Sequence, residues 1–252
     1  MSHKPKIFAW DMERCSAISR HYGRWNISVR PEQTIRDERM VSFAGRWIGQ
    51  PKSKTVYFSE WEHGRDQMLQ EIHDRLDEAD AVVTWNGRRA DTKWVNREFW
   101  LAGMDEPSDY FDIDLMVAVK RKMGFTSNSL KNILRELGVE GKVEVGSLDQ
   151  LTEDAMAGDA KAQRLHKRYN KQDVDVLADT LYPRLLPWIP ASMHPNLAIG
   201  YLGDMCTKCG SLRLERRGFK ATATGIYQQY KCLECNSWMR ATKRSATSEL
   251  RA

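Results

Sequence analysis

The sequence has no apolar stretch of about 18 residues, the minimum for a membrane-spanning helix, anywhere in the chain. Residues 1–5 lead directly into a strand-like segment, without the apolar core of a secretory signal peptide. Internal repeats and low-complexity segments are also lacking. These absences predict a cytoplasmic protein with no membrane partner. The length of 252 residues fits one large domain plus a small module.

Cysteine is scarce in most of the chain: Cys15 stands alone, and the other four cysteines lie in the last fifth. In a cytosolic protein such clustering indicates a metal site rather than disulfides. We interpret Cys15 as an incidental buried thiol rather than a nucleophile.

Charge is uneven as well, because residues 205–252 carry a net +7 and residues 1–204 a net −2. A basic module on a slightly acidic body predicts that one part holds cations and another binds polyanions.

Hydrophobic periodicity predicts an α/β fold with a mixed sheet flanked by helices. Apolar runs predict strands over residues 7–10, 40–48, 54–58, 81–85 and 110–113. Apolar spacing of three and four residues predicts helices over residues 64–79, 91–102, 114–123, 128–138 and 165–186. The polar, arginine-containing residues 14–38 are interpreted as an irregular excursion between the first two strands.

Prolines predict where this domain ends. Pro187 and Pro190 stop the last helix, because proline lacks the amide hydrogen that a helix interior needs. The sequence therefore predicts a large domain and a linker followed by a cysteine-containing module and a basic tail. Their predicted bounds are 1–188, 189–204, 205–240 and 241–252.

Two carboxylates follow the first predicted strand. Asp11 and Glu13 are two residues apart, so on an extended chain they point to the same side. Carboxylates held this close repel each other unless a positive charge lies between them, and a hard divalent cation supplies it. Taken alone, the pattern more often marks a strand that ends in a solvated acidic turn.

Two further motifs extend this pair. Asn86 and Asp91 follow the buried strand 81–85, and ligand sites of α/β sheets gather at the carboxyl ends of such strands. Tyr169 and Asp173 are four residues apart and so share one face of the last helix. The plainer interpretations are that Asp91 favours a helix N-terminus, and that Tyr169 is a packing residue beside a surface acid. Asp112 and Asp114 are interpreted as polar positions at a strand end.

The three motifs, Asp-x-Glu, Asn-Gly-x-x-x-Asp and Tyr-x-x-x-Asp, occur in an order that resembles the DEDD superfamily of 3′–5′ exonucleases. This superfamily has an RNase H-like fold. The resemblance covers roughly residues 5–186 and is closest to the tyrosine-containing branch, which also occurs in proofreading domains of family B polymerases. A histidine branch has its base five residues before the last aspartate, where this sequence has Arg168.

The resemblance implies a role for each matching residue. Four acids would bind two Mg²⁺ or Mn²⁺ ions: Asp11, Glu13, Asp91 and Asp173. Asp11 would contact both ions, Glu13 would lie nearest the attacking water, and Tyr169 would orient that water. Asn86 is a weaker candidate for a contact with nucleic acid, and Arg97 is a weaker candidate for a structural or phosphate contact. Ala90 departs from the family pattern, in which an aromatic residue is common at this position.

The resemblance therefore predicts a metal-dependent 3′–5′ exonuclease. Two divalent ions about 4 Å apart can activate a water and stabilise the charge of phosphodiester hydrolysis. Single-stranded DNA is the preferred substrate and RNA remains open, because the resemblance is to replication and repair exonucleases, often phage-encoded. Partners would then be replication or repair proteins, in the host cytoplasm if the gene is of phage origin. The alternatives are a structure-specific endonuclease of the same fold and a catalytically silent nucleic-acid-binding protein.

The C-terminal cysteines form two Cys-x-x-Cys pairs, Cys206 with Cys209 and Cys232 with Cys235, separated by 22 residues. This spacing is typical of a zinc ribbon with one structural Zn²⁺, while redox or iron–sulfur use is the alternative. Basic and aromatic residues around the pairs could grip phosphates and stack bases. These weaker candidates, which could equally be a solvated basic face, are Arg213, Arg216, Arg217, Lys220 and Trp238.

Overall fold

A five-stranded mixed sheet organises the computed structural model, which describes residues 4–23, 25–139, 145–198 and 203–246. The strands of the first 114 residues are β1 (Ile7–Cys15), β2 (Ile18–Ser19), β3 (Thr34–Arg36), β4 (Arg39–Trp47), β5 (Val56–Ser59), β6 (Ala81–Thr84) and β7 (Phe111–Asp114). Strand order in the main sheet is β5-β4-β1-β6-β7. β1 pairs antiparallel with β4 and parallel with β6. The predicted mixed α/β sheet is thus confirmed.

Helices cover both faces of this sheet. They are α1 (Glu60–His63), α2 (Arg65–Glu78), α3 (Asp91–Leu101), α4 (Leu115–Lys122), α5 (Leu130–Glu136), α6 (Leu148–Met156), α7 (Ala160–Val176), α8 (Tyr182–Leu185) and α9 (Pro195–Ala198). Phe8, Trp10 and Met12 pack in one core layer with α2 and α3, while Ala9 packs in the other with α4 and α7. Alternate residues of β1 therefore face opposite layers. Among the described residues, no helix combines the length and apolar character that crossing a membrane requires.

β1 is longer than the sequence predicts. It continues past Trp10 to Cys15, because β4 supplies backbone partners as far as the pairing of Cys15 with Arg39. The prediction that the strand ends at its two carboxylates is therefore wrong. Its parallel neighbour β6 pairs only with Ile7–Ala9, so Asp11 and Glu13 lie on β1 beyond the end of that pairing.

The last helix begins earlier than predicted and changes its hydrogen bonding before it ends. Asp159 caps α7, accepting hydrogen bonds from the amides of Lys161 and Ala162. A π-helical turn, Leu177–Leu181, follows α7 and leads into α8. Pro183 has no amide hydrogen, so it cannot complete an α-helical hydrogen bond in this region. α6 was not predicted.

The C-terminal module is a separate three-stranded antiparallel sheet of β8 (Leu214–Thr222), β9 (Gly225–Cys232) and β10 (Trp238–Ala246), in the order β10-β9-β8. β10 includes the first six residues of the predicted basic tail, and residues 247–252 lie outside the described part of the chain. The predicted linker contains a short 3₁₀ turn and α9, and its residues 199–202 also lie outside the described part.

Candidate active site

Three of the four predicted metal-binding acids come together at the sheet. Asp11 and Glu13 on β1 and Asp173 on α7 each offer a carboxylate oxygen, and these three atoms lie within 4.8 Å of one another. The two-residue spacing on β1 turns the first two carboxylates toward the layer that contains α7. We call these three residues the carboxylate trio.

Contacts between α7 and β4 hold Asp173 over β1. Val174 and Leu177 belong to the same core layer as Ala9. The buried guanidinium of Arg46 on β4 pairs with Asp175 of α7 at 3.6 Å and with Asp179 of the π-helical turn that follows at 2.6 Å. These ion pairs and the apolar face of the helix hold Asp173, which is almost fully buried, beside the two half-buried carboxylates of β1.

Asn170 is a member of the site that the sequence analysis missed. Its side chain is fully buried, and its amide nitrogen Nδ2 donates to Oδ2 of Asp11 at 3.0 Å and to the Asp11 carbonyl at 3.3 Å. The hydroxyl of Ser42 on β4 donates to Oδ1 of Asn170 at 3.4 Å. Its position three residues before Asp173, on the same helix face, is the signal that could have revealed it.

Tyr169 presents a half-buried phenol beside the trio. Burial raises the pKa of this phenol, and the negative charges of Asp173, Glu13 and Asp11 raise it further. Tyr169 therefore stays protonated at neutral pH. A neutral hydroxyl in this place can donate or accept a hydrogen bond but cannot act as an ionised base.

Asp91 does not belong to the trio within that 4.8 Å limit; its electrostatic neighbours are Asp112 and Asp114 of β7. It is the first residue of α3, after a tight turn in which a side chain at Gly87 would collide with Thr84. Burial and the charges of Asp114 and Asp112 raise the pKa of Asp91 to about 7, although the Arg14 guanidinium opposes this. Without a cation, Asp91 is therefore only partly ionised at neutral pH.

The two aspartates of β7 differ in their surroundings. Asp114 is fully buried, and its Oδ1 accepts from the amides of Asn86 and Met116, each at 3.0 Å. It thus caps α4 and fixes the turn that leads to Asp91. Burial raises the pKa of Asp112 to about 6, and Arg88, 3.6 Å away, lowers it in part.

The weaker predicted contacts lie in different places. The backbone of Asn86 is in the left-handed region, and its amide binds Asp114. Arg97 donates to the carbonyl of Glu38 at 3.0 Å and lies over the ring of Trp94, which is a structural contact near the start of β4. The contacts observed for Asn86 and Arg97 therefore do not indicate that either side chain binds a substrate.

The four C-terminal cysteines also come together. Their Sγ atoms lie within 4.8 Å of one another, and the pairs Cys206–Cys235 and Cys209–Cys232 are each 3.6 Å apart. This is too long for a disulfide but close to the edge of about 3.8 Å expected of a tetrahedron with Zn–S bonds of about 2.3 Å. Hydrogen bonds from the Cys206 thiol and from Ser237 lower the pKa of Cys235 to about 4. The donor set therefore fits a thiolate-bound metal ion.

The cysteine module packs on the large domain. Cys209 and Cys235 contact the core layer that includes Tyr182. The ammonium of Lys208 donates to the carbonyl of Pro187 at 2.5 Å, and Asn196 donates to the carbonyl of Thr207 at 3.3 Å. Changes at these cysteines would therefore disturb the large domain as well.

The basic candidates of the module are exposed on β8 and just before it, and Trp238 begins β10. Arg213 and Arg217 are partly neutralised by ion pairs with Glu234 and Glu215, each at 3.0 Å. Arg216 and Lys220 are exposed on β8, and the ring of Trp238 is half exposed near the ammonium of Lys231. Arg216 and Lys220 are thus the members best placed to meet a polyanion.

Comparison with known proteins places the chain in a family. A sequence profile of the RNase_H superfamily matches residues 35–185, and the chain belongs to this superfamily. A solved structure, that of the family B DNA polymerase from the hyperthermophilic archaeon Pyrobaculum calidifontis, is similar with a TM-score of 0.53 and 13% identity. The match covers 88% of this chain and 32% of the polymerase, so the chain spans about a third of that protein's length. This likeness is one of fold. No curated protein matches the chain.

Proposed function

We propose that the protein is a metal-dependent 3′–5′ exonuclease that hydrolyses single-stranded nucleic acid, preferably DNA. The observation that carries the proposal is the carboxylate trio, assembled beside the protonated phenol of Tyr169 in a chain of the RNase_H superfamily. Superfamily membership supports a nuclease, and hence nucleic acid as the partner. The 3′–5′ direction and the preference for DNA rest on the order of the three sequence motifs.

The trio suits a hard divalent cation. Oxygen ligands of one Mg²⁺ at about 2.1 Å are separated by about 3 to 4.2 Å in an octahedron, and the three carboxylate oxygens approach this spacing. Three clustered negative charges also repel one another unless a cation neutralises them. Asp11, Glu13 and Asp173 would hold Mg²⁺ or Mn²⁺, which lowers the pKa of a bound water and stabilises charge on the phosphate.

The side chains around the trio would then orient the attacking water, fix the Asp11 carboxylate and bind a second ion. Tyr169, kept neutral by its surroundings, would position the attacking water through a hydrogen bond. Asn170 keeps Oδ2 of Asp11 in a fixed direction. Asp91 is the proposed ligand of a second ion, and binding of that ion would lower its raised pKa and ionise it.

The cysteine module would contribute to structure and to binding. A structural Zn²⁺ on its four thiolates would fasten the two Cys-x-x-Cys turns to the large domain. Arg216 and Lys220 would bind phosphates. Arg216→Glu and Lys220→Glu should each weaken oligonucleotide binding and reduce its salt dependence by about 0.7 in log–log slope for each lost phosphate contact, whereas Arg135→Glu on α5 serves as the exposed control. Unchanged slopes in both module variants would refute this role.

Digestion of end-labelled oligonucleotides tests the proposed reaction. With Mg²⁺ or Mn²⁺, a 5′-labelled single strand should yield a ladder that shortens progressively from its 3′ end. Parallel reactions with DNA, RNA and duplex DNA establish the substrate. One internal cut at a junction would favour the structure-specific endonuclease, and intact strands under every condition would favour the catalytically silent binding protein.

A further inference from the structure

The loop of residues 20–30, between β2 and β3, exposes two aromatic side chains that the proposed reaction does not use. Tyr22 is fully exposed, with a relative exposure of 108%, and Trp25 is 89% exposed. Every described residue of the loop is exposed. An exposed apolar residue by itself needs no explanation, but two large aromatic rings within four residues form a surface that could stack on planar groups.

The loop has an ordered base. The amide of Arg20 donates to the carbonyl of Gln33 at 2.8 Å, and the Gln33 side chain donates to the carbonyl of Arg20 at 3.1 Å. Below this closure, Arg36 forms a bidentate ion pair with Glu153 of α6, and Ser16 donates to Asp149 of the same helix at 2.9 Å. Tyr22 and Trp25 therefore lie in a loop whose two ends are fixed by β2, β3 and α6.

The charge of the loop favours a polyanion. Residues 20–30 include three arginines and neither aspartate nor glutamate. Arg20 and Arg30 are both exposed, on either side of the two aromatic residues. Aromatic rings interleaved with guanidinium groups provide the chemistry that binds single-stranded nucleic acid, with bases stacked on the rings and phosphates paired with the cations.

The loop also lies close in sequence to β1, the strand that carries Asp11 and Glu13 of the candidate active site. β1 ends two residues after Glu13, and Tyr22 follows Glu13 by nine residues. Even a fully extended chain of that length spans at most ~30 Å. A nucleic-acid strand whose end lies at the carboxylate trio could therefore contact the loop through nucleotides that are not being cleaved.

We propose that loop 20–30 is a stacking site for bases of the single-stranded substrate, with Tyr22 and Trp25 as the platforms and Arg20 and Arg30 as phosphate contacts. The inference rests on the proposed nuclease function and adds the surface that holds the strand away from the reacting phosphate. A protein surface or a second copy of this chain is the competing occupant. The concentration of positive charge without any acid favours nucleic acid.

Binding measurements on loop variants test the proposal. Fluorescence anisotropy of a labelled oligo-dT strand, recorded without added divalent ions, gives affinity in the absence of hydrolysis. Tyr22→Ala and Trp25→Ala should each weaken binding about tenfold, since base stacking on an aromatic ring is worth roughly 1–3 kcal/mol. The double variant should lose more, and Trp25→Phe should recover most of the affinity. Trp100→Ala removes a Trp of α3 that is 80% exposed and should bind like the wild type.

Two further measurements separate failure of the inference from failure of the proposed function. Wild-type turnover of the p-nitrophenyl ester of thymidine 5′-monophosphate, with Mn²⁺, reports phosphodiester chemistry on a substrate too small to reach the loop. If that ester is hydrolysed while both alanine variants bind oligo-dT like the wild type, the loop is not the stacking site and the nuclease assignment stands. If the wild type neither hydrolyses the ester nor binds oligo-dT, the proposed function itself fails.

The competing occupant is tested by molecular mass in solution. Analytical ultracentrifugation should give the same mass for the wild type and for the double variant. A wild-type dimer that dissociates in the double variant would identify the loop as an interface between copies of this chain and would overturn the proposal.

Discussion

Replacing Asn170 by alanine should weaken the proposed metal site without removing any of its ligands. The buried amide of Asn170 donates to Oδ2 of Asp11 at 3.0 Å, and Ser42 in turn donates to Asn170. In Asn170→Ala the carboxylate of Asp11 loses this donor and can rotate away from the trio. The hydroxyl of Ser42 loses its acceptor at the same time.

The size of the effect follows from this contact. A hydrogen bond to an ionised group contributes about 1.5–3 kcal/mol, and about 1.4 kcal/mol corresponds to a factor of ten. Asn170→Ala should therefore lower the Mn²⁺ affinity or kcat by roughly 10- to 100-fold. Asn170→Asp should be at least as damaging, because it places a fourth carboxylate against Asp11.

Turnover of the small thymidine ester as a function of Mn²⁺ concentration separates the two parameters. A change confined to the apparent Mn²⁺ affinity would assign Asn170 to metal binding, and a change in kcat to the orientation of the reacting groups. Asn132→Ala on α5, which removes a side-chain amide that donates to the carbonyl of Ser127 at 2.8 Å, is the matched control. A folded Asn170→Ala variant with wild-type kcat and Mn²⁺ dependence would refute this reasoning.

Two further predictions concern stability and the cysteine module. The pKa of Asp112 is raised to about 6. The protonated carboxyl group therefore contributes fully to the free energy of unfolding below the unfolded-state pKa, and this contribution is lost as the pH rises through about 6. Asp112→Asn should therefore be more stable than the wild type by up to about 3 kcal/mol at pH 8 and equal to it near pH 4. Denaturant unfolding across this range checks the prediction, and a pH-independent difference would contradict it. Cys209→Ser should lose bound zinc and lower the thermal midpoint of the whole protein, because Cys209 packs on the core of the large domain. Metal analysis and calorimetry measure this, and full zinc content at unchanged stability would count against the zinc assignment.

Local patterns in the sequence predicted those parts of the site that local geometry determines. Asp11 and Glu13 share a side because a strand alternates, and Tyr169 and Asp173 share a face because they are four residues apart on a helix. The two motifs meet only when α7 packs on β1. The family resemblance supplied that pairing, since no property of either segment alone specifies it.

The features that the sequence did not reveal depend on contacts distant in sequence. β1 continues through polar residues to Cys15 because β4 pairs with it, and an apolar pattern carries no signal of that pairing. The pKa of Asp91 is raised by burial and by Asp114 and Asp112 of β7, which lie more than 20 residues further along the chain. Asn170 was missed because an asparagine between a tyrosine and an aspartate carries no signal of a metal site by itself. Its role depends on the packing of α7 on β1, which brings its amide to Asp11.

The most direct test compares metal-dependent cleavage of a 5′-labelled single strand by the wild type, Asp173→Asn and Asp154→Asn. Asp173 belongs to the carboxylate trio, whereas Asp154 is an exposed acid on α6. The wild type and Asp154→Asn should shorten the strand from its 3′ end with Mg²⁺ or Mn²⁺ and leave it intact without a divalent ion. Asp173→Asn should fold normally and leave the strand intact in every case. Wild-type cleavage by a folded Asp173→Asn variant would contradict the assignment of the trio as the metal site.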